Sequence, residues 1–289
     1  MKVLITGMSG MIGSALARAL HSRGDDPVGL SRGGPAAVSW NPAEGLLDPA
    51  LLDGVDAVVH LAGKRIFPPF TAGRRREILG SRVDGTRLIA AAVAAQRPPV
   101  FISGSAIGFY GNRGDEVLTE GSAPGSGFLA DVTKAWEAEA RPAADAGVRT
   151  VLLRSGLVLH ESGGLLPILS IPVKLGVGGS IGGGRQWWSW VSLADEVRAI
   201  LHCIDSDLSG PVNVVAPGAV SNREFVRVLA RHLRRPSFLP LPAFAIRLIL
   251  GRSAADDLVL ASQKVEPRAL VESGFGFEHP TLSAALAAD

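Results

Sequence analysis

The sequence predicts an α/β chain: a doubly wound parallel sheet with helices on both faces, joined to a smaller and mainly helical C-terminal lobe. Three features of its 289 residues predict it. Short apolar runs alternate with longer stretches of helical spacing, the pattern of successive β-α-β units. The first run leads directly into regularly spaced glycines. The alternation then weakens beyond about residue 160, where glycine and proline take over.

The first strand falls at residues 3–5, and Ala15, Leu16, Ala19 and Leu20 give the helix after it, over 12–23, an apolar stripe. Further strands fall at 27–30, 57–61, 100–103 and 150–154, with helices over 73–96 and 128–146. Right-handed crossovers place the loops after such strands on one edge of the sheet, where ligands bind. Residues 162–187 read as a glycine-rich loop and 211–289 as short helices parted by prolines. The expected division is a domain of residues 1–160, with 186–215 returning to it, and a lobe of 161–185 and 216–289.

Composition narrows the classes of function. Lys plus Arg total 29 against 27 Asp plus Glu, so no excess charge attracts nucleic acid or an anionic membrane. The single cysteine, Cys203, lies in the apolar stretch 197–204 and reads as a core residue, which excludes a disulfide framework and a thiolate zinc cluster. No His, Cys, Asp and Glu set has metal-ligand spacing, and no metal is expected. The first strand starts at residue 2 and leaves no room for a signal peptide. The longest apolar stretch, 239–250, contains Pro240, Pro242 and Arg247 and falls short of the roughly 20 residues a membrane span needs. A soluble cytoplasmic protein, monomeric or homodimeric, is expected.

The glycines carry the first chemical reading. Gly7 permits a tight turn after the strand, Gly10 lets backbone approach a phosphate, and Gly13 lets the helix lie close on the strand. Met11 and Ile12 sit between them, at a helix N-terminus whose unpaired N–H groups and dipole suit a pyrophosphate. This is a dinucleotide site. Where an acid would bind the adenosine ribose of NAD, the second strand ends in Ser31 and Arg32, a hydroxyl and a guanidinium suited to the extra phosphate of NADP. The third strand ends in His60-Leu61-Ala62-Gly63, small enough for close approach to the adenosine and pyrophosphate, with His60 read as a core histidine.

The Thr6-Gly7-x-x-Gly10-x-x-Gly13 opening, the Asp56…His60-Leu61-Ala62-Gly63 strand and Ser103-Gly-Ser105-Ala-Ile-Gly-Phe-Tyr110-Gly111 together resemble the extended short-chain dehydrogenase/reductase superfamily, which includes nucleotide-sugar epimerases and dehydratases. Glu77-Ile-Leu-Gly-Ser-Arg82, Arg154-Ser-Gly-Leu-Val158, Gly184-Arg-Gln-Trp-Trp-Ser-Trp190 and Ala261-Ser-Gln-Lys-Val-Glu-Pro267 narrow the resemblance. They are similar to its poorly characterised "epimerase family protein" branch, with a C-terminal extension of unknown function. The resemblance implies a Rossmann-like fold over essentially the whole chain. It also implies that Leu61 and Ala62 border the adenosine path, that Glu77 and Arg82 reach the adenosine end and phosphates, and that Val158 lies against the nicotinamide.

The reaction chemistry departs from the superfamily. Its reductases use a Tyr-x-x-x-Lys pair one helical turn apart, in which the phenol transfers a proton and the lysine lowers the phenol's pKa and binds the nicotinamide ribose. Lys134 matches the lysine, but four residues earlier stands Ala130. The chain's only tyrosine, Tyr110, lies in the turn after the fourth strand, where it is either a replacement acid/base or turn packing. The superfamily's serine or threonine position falls on Ala106, leaving Ser105, or Ser103, to touch the reacting oxygen. Arg185 and Trp187, with Trp188 and Trp190, follow a glycine loop and suit a lid over an anionic or planar substrate, although some of these indoles serve the core. Asp195 reads as part of a helix N-cap. The resulting expectation is an NADP-dependent, epimerase-like oxidoreductase acting on a small hydroxylated or carbonyl compound such as a nucleotide sugar, with Lys134, Ser105 and Tyr110 as catalytic candidates. The alternative is a non-catalytic NADP(H)-binding sensor or scaffold.

Overall fold

Six parallel strands form the central sheet of the computed structural model, which describes residues 1–30 and 40–288. In chain order they are β1 (Lys2–Thr6), β2 (Asp26–Leu30), β3 (Ala57–His60), β4 (Val100–Ala106), β5 (Arg149–Ser155) and β6 (Gly210–Val214). Their spatial order is β6-β5-β4-β3-β1-β2, a Rossmann-like arrangement whose strand order reverses between β1 and β3. Val3 pairs with Ala57 there and Thr6 with His60, so the carboxyl ends of both strands open at one edge.

Alternate side chains along each strand serve two separate cores, which is why the strands read as continuous apolar runs. On one face Val3, Ile5, Val59 and Ile102 meet α1 (Met11–Ser22) and a later helix through Leu16, Leu20, Ile200 and Cys203. On the other, Leu4, Val58 and Phe101 meet α2 (Ala72–Gln96) and α3 (Phe128–Asp145) through Ile89, Val93, Ala140 and Ala143. Cys203 is fully buried, and burial with the nearby Glu196 carboxyl pushes its thiol up to about 12, which makes it a core residue.

Residues 162–187 are more than the glycine loop their sequence suggests. They contain α4 (Leu166–Lys174), with Pro167 in its first turn and Pro172 inside. Leu166 and Val173 bury one side of it in a third core with Trp188, Trp190 and Phe225, and that burial outweighs the interior proline. The remaining helices are α5 (Leu193–Asp205), α6 (Asn222–His232), α7 (Ala243–Leu250), α8 (Arg252–Leu258), α9 (Arg268–Glu272) and α10 (Leu282–Ala287). No helix among the described residues is long and apolar enough to cross a membrane.

Candidate active site

The glycine turn is built as its spacing requires. Gly7 adopts a φ of +75°, and a Cβ there would lie 2.9 Å from the Ala62 amide nitrogen. The backbone at Leu61 and Ala62 is thus pressed against the turn. A Cβ on Gly13 would fall within 2.3 Å of the Gly7 carbonyl oxygen, so only glycine lets α1 sit this close to β1. Gly10 caps α1 without any side-chain hydrogen bond, and no acid occupies the first turn. This helix end therefore presents backbone amides and positive dipole, the fit a pyrophosphate needs. The strand Leu157–His160 and the pair Gly163–Gly164 fold over it: a Cβ on Gly163 would lie 2.6 Å from the Met11 sulfur, and one on Gly164 3.1 Å from the Val158 carbonyl oxygen. Val158 and Met11 thus share one wall.

His60 is fully buried, its Nδ1 2.7 Å from the Thr6 hydroxyl, and burial reinforced by the Arg82 charge pushes its pKa down to about 3. It is a neutral tie between β1 and β3, as the sequence suggests. Arg82 lies directly under the strand end, its guanidinium carbon 3.4 Å from where a Gly63 Cβ would be. Its Nη1 donates to the Lys64 and Ile78 carbonyls at 3.0 and 3.3 Å, while its buried Nε has no partner. Burial lowers its pKa to about 10, so it stays cationic near neutrality. Glu77 is exposed and pairs with Lys64 at 2.6 Å and Arg74 at 3.5 Å. Ser31 and Arg32 lie outside the described residues.

One side of α3 carries Ala130, Lys134 and Glu137 at helical spacing. Ala130 is buried, and its methyl occupies the position where the superfamily pattern has a phenol. Lys134 is 39% exposed and pairs with Asp131 at 2.8 Å. Glu137 is the residue the sequence reading missed. Its carboxylate accepts from Arg154 Nε at 2.8 Å and Nη2 at 2.9 Å, and the Ser105 hydroxyl donates to it at 2.7 Å. This is a bidentate ion pair with both side chains nearly buried. The available signal was the spacing: Glu137 stands one turn beyond Lys134 on the same face, and Arg154 is a charge at the end of a buried strand.

Tyr110 belongs to the same network. It is fully buried, its hydroxyl donates to Asn213 Oδ1 at 2.6 Å, and it accepts from Arg154 Nη1 at 3.0 Å. Burial raises the phenol's pKa against the opposing pull of the Arg154 charge. Its proton is thus held inside the protein, with no exposed surface through which to exchange it. Ser103 is also buried and donates only to the Gly104 carbonyl, at 3.4 Å. Of the four residues read as a lid, Trp188 and Trp190 are core, whereas Arg185 is exposed. Trp187 is half-buried, donates to Asp115 at 2.8 Å, and carries the Lys264 ammonium 4.5 Å above its ring. Asp195 sits in the first turn of α5, which Ser192 caps, and its buried carboxylate accepts from the backbone of Glu278 and His279.

Comparison with known proteins agrees with this geometry. Residues 3–216 match the NAD dependent epimerase/dehydratase family, and 241–288 match a domain of unknown function, DUF1731. Epimerase family protein Mb2239 of Mycobacterium bovis is 42% identical over 98% of this chain and 96% of its own length. Epimerase family protein YfhF of Bacillus subtilis is 34% identical over 99% and 97%. The crystal structure of human epimerase family protein SDR39U1 with NADPH superposes with a TM-score of 0.90 at 33% identity, covering 100% of this chain and 98% of that one. The chain has their NAD(P)-binding fold and belongs to the NAD dependent epimerase/dehydratase family.

Proposed function

We propose that the chain binds NADP(H) in the glycine-lined cleft and exchanges hydride with a small hydroxylated or carbonyl compound of the nucleotide-sugar kind, without the tyrosine that usually moves the proton. The fit of the α1 N-terminus supports the cofactor, as does the NADPH bound to the human relative. The nicotinamide, when bound, supplies or accepts the hydride. Gly7, Gly10, Met11, Ile12 and Gly13 hold the pyrophosphate, while Leu61, Ala62 and Gly63 border the adenosine, with Glu77 and Arg82 at its edge. Val158 lies against the nicotinamide. Lys134 binds the ribose, and Ser31 with Arg32 reads the phosphate that distinguishes NADP. Arg185 and Trp187 face the substrate. The protein works in the cytoplasm, as a monomer or homodimer.

One observation carries the enzymatic reading: Ser105 is held by a buried Arg154–Glu137 pair, an expensive arrangement to keep beside a disused site. It also supports an acceptor role for Ser105. Its single hydrogen goes to Glu137, so toward a substrate it presents only lone pairs and accepts from an alcohol. Tyr110 holds Arg154 in place, and the proton released with the hydride passes to water. Ala130 favours the second reading, a sensor or scaffold that binds NADP(H) without turnover. A screen of carbonyl and nucleotide-sugar compounds for NADPH oxidation separates the two. Turnover abolished by Lys134→Ala supports the enzyme; NADPH binding with no turnover on any compound supports the sensor. Arg32→Ala is expected to weaken NADPH far more than NADH, and equal losses would refute its assignment to the phosphate.

A further inference from the structure

The near-neutral charge of the whole chain conceals an uneven distribution. Residues 223–252 hold seven of the 29 basic residues, all arginine, and only one of the 27 acids, Glu224. Glu224 is already paired with Arg227 at 2.5 Å, and Asp256 on α8 takes Arg247 at 2.8 Å and Arg252 at 3.9 Å, so the basic excess rests on Arg223, Arg231, Arg234 and Arg235. Arg223, Arg227 and Arg231 recur every fourth residue along α6 and share one face, and the exposed Arg234 and Arg235 follow it.

The same segment exposes large apolar side chains. Phe238 and Phe244 are 72% exposed, Leu248 84% and Ile249 70%. Phe244 and Leu248 stand one turn apart on α7. Backbone bonds from Leu241 to the Ser180 carbonyl and from Gly182 to the Leu241 carbonyl fasten this segment to the loop after α4, and Leu175 at the start of that loop is also 72% exposed. Phe238 lines one cavity of about 510 Å³ together with Arg223 and Arg227, so exposed apolar and basic side chains meet there, and Phe244, Leu248 and Ile249 follow on the same chain segment. Apolar exposure on this scale marks an interaction site.

Charge decides what covers it. A second copy across a two-fold axis would set one cationic face against another. Acidic headgroups complement the arginines, and acyl chains take the aromatic and leucine side chains. With eight residues α7 is too short to span a bilayer, so contact is interfacial. We propose that this basic, apolar face docks the protein on an anionic lipid surface.

The test is co-sedimentation of the full chain with phosphatidylcholine vesicles, with and without about 30% phosphatidylglycerol. The chain is expected to bind only the anionic vesicles and to be released by about 0.5 M salt. Arg234→Glu with Arg235→Glu, and separately Phe244→Ser with Leu248→Ser, are each expected to reduce binding about tenfold or more while NADPH affinity stays unchanged. These side chains are exposed, so retained NADPH binding certifies the fold. Absence of binding to anionic vesicles, equal binding to neutral ones, or a dimer in light scattering that Leu248→Ser dissociates would overturn the proposal. None of these outcomes depends on whether the protein catalyses a reaction.

Discussion

Glu137 and Glu196 are both buried carboxyls near the end of β5, yet their surroundings set them opposite behaviour. Glu137 has Arg154, so its charge is matched; removing it by Glu137→Ala leaves a buried guanidinium unpaired and is expected to cost about 3–5 kcal/mol in urea unfolding. Replacing both partners by Leu and Met is expected to recover most of that stability, and no recovery would show that the pair does more than satisfy itself. Glu196 has only the Ser155 hydroxyl, at 2.6 Å, and burial pushes its pKa up from 4.5 to about 7. Below 4.5 it is protonated in the folded and unfolded chain alike. As pH rises through about 7 the unfolded chain releases the proton first, so stability falls, by on the order of 3 kcal/mol for complete ionisation. Glu196→Gln is therefore expected to melt well above the parent at pH about 8 and close to it at pH about 5. An equal difference at both would mean that Glu196 does not titrate there. At this scale the sequence shows the residues whose meaning is local. The turn at Gly7, Gly10 and Gly13 is legible because its spacing alone fixes its neighbours. Glu137 is not, because its partners Arg154 and Ser105 lie on separate strands.

The helix bearing Lys134 shows how one element depends on another remote in the chain. The N-cap of α3 is Gly127, which offers no side-chain cap. The Asp257 carboxylate from α8 stands at that end instead, its Oδ1 2.9 Å from where a Gly127 Cβ would be, and burial raises its pKa. Asp257→Ala is expected to lower stability by about 1 kcal/mol, with Asp257→Asn retaining most of it. Equal losses in the two variants, measured by urea unfolding, would assign the effect to charge rather than to capping. The span of α3 is legible because periodicity is a local signal; its cap is not, because it comes from another segment. The same holds for α4, hidden in sequence by the glycines around it and stabilised by Trp188 and Phe225 from elsewhere.

Across the whole molecule, the region matched to a domain of unknown function is built into the wall of the site. Gln263 donates to the Ile107 carbonyl at 3.0 Å, Lys264–Val265 pairs in parallel with Val117–Leu118, and Asn213 donates to the Glu266 carbonyl at 3.0 Å. The turn that carries Tyr110 is thus clamped from the C-terminal side. Composition misleads here for a physical reason: net charge is a sum, while docking depends on where the charges lie, and the arginines of α6 and the turn after it outnumber the acids beside them. The central claim is that the turn at Gly7, Gly10 and Gly13 holds NADP(H), and calorimetric titration of the chain and its Gly13→Ala variant with NADPH tests it most directly. A methyl group 2.3 Å from the Gly7 carbonyl oxygen must push α1 away from β1, at about 1–3 kcal/mol of stability. The predicted result is saturable binding to the parent chain and at least about tenfold weaker binding to the folded variant, since a displaced α1 N-terminus no longer meets the pyrophosphate. A parent chain that binds neither NADPH nor NADH, or a variant that binds NADPH as tightly as the parent, would contradict it.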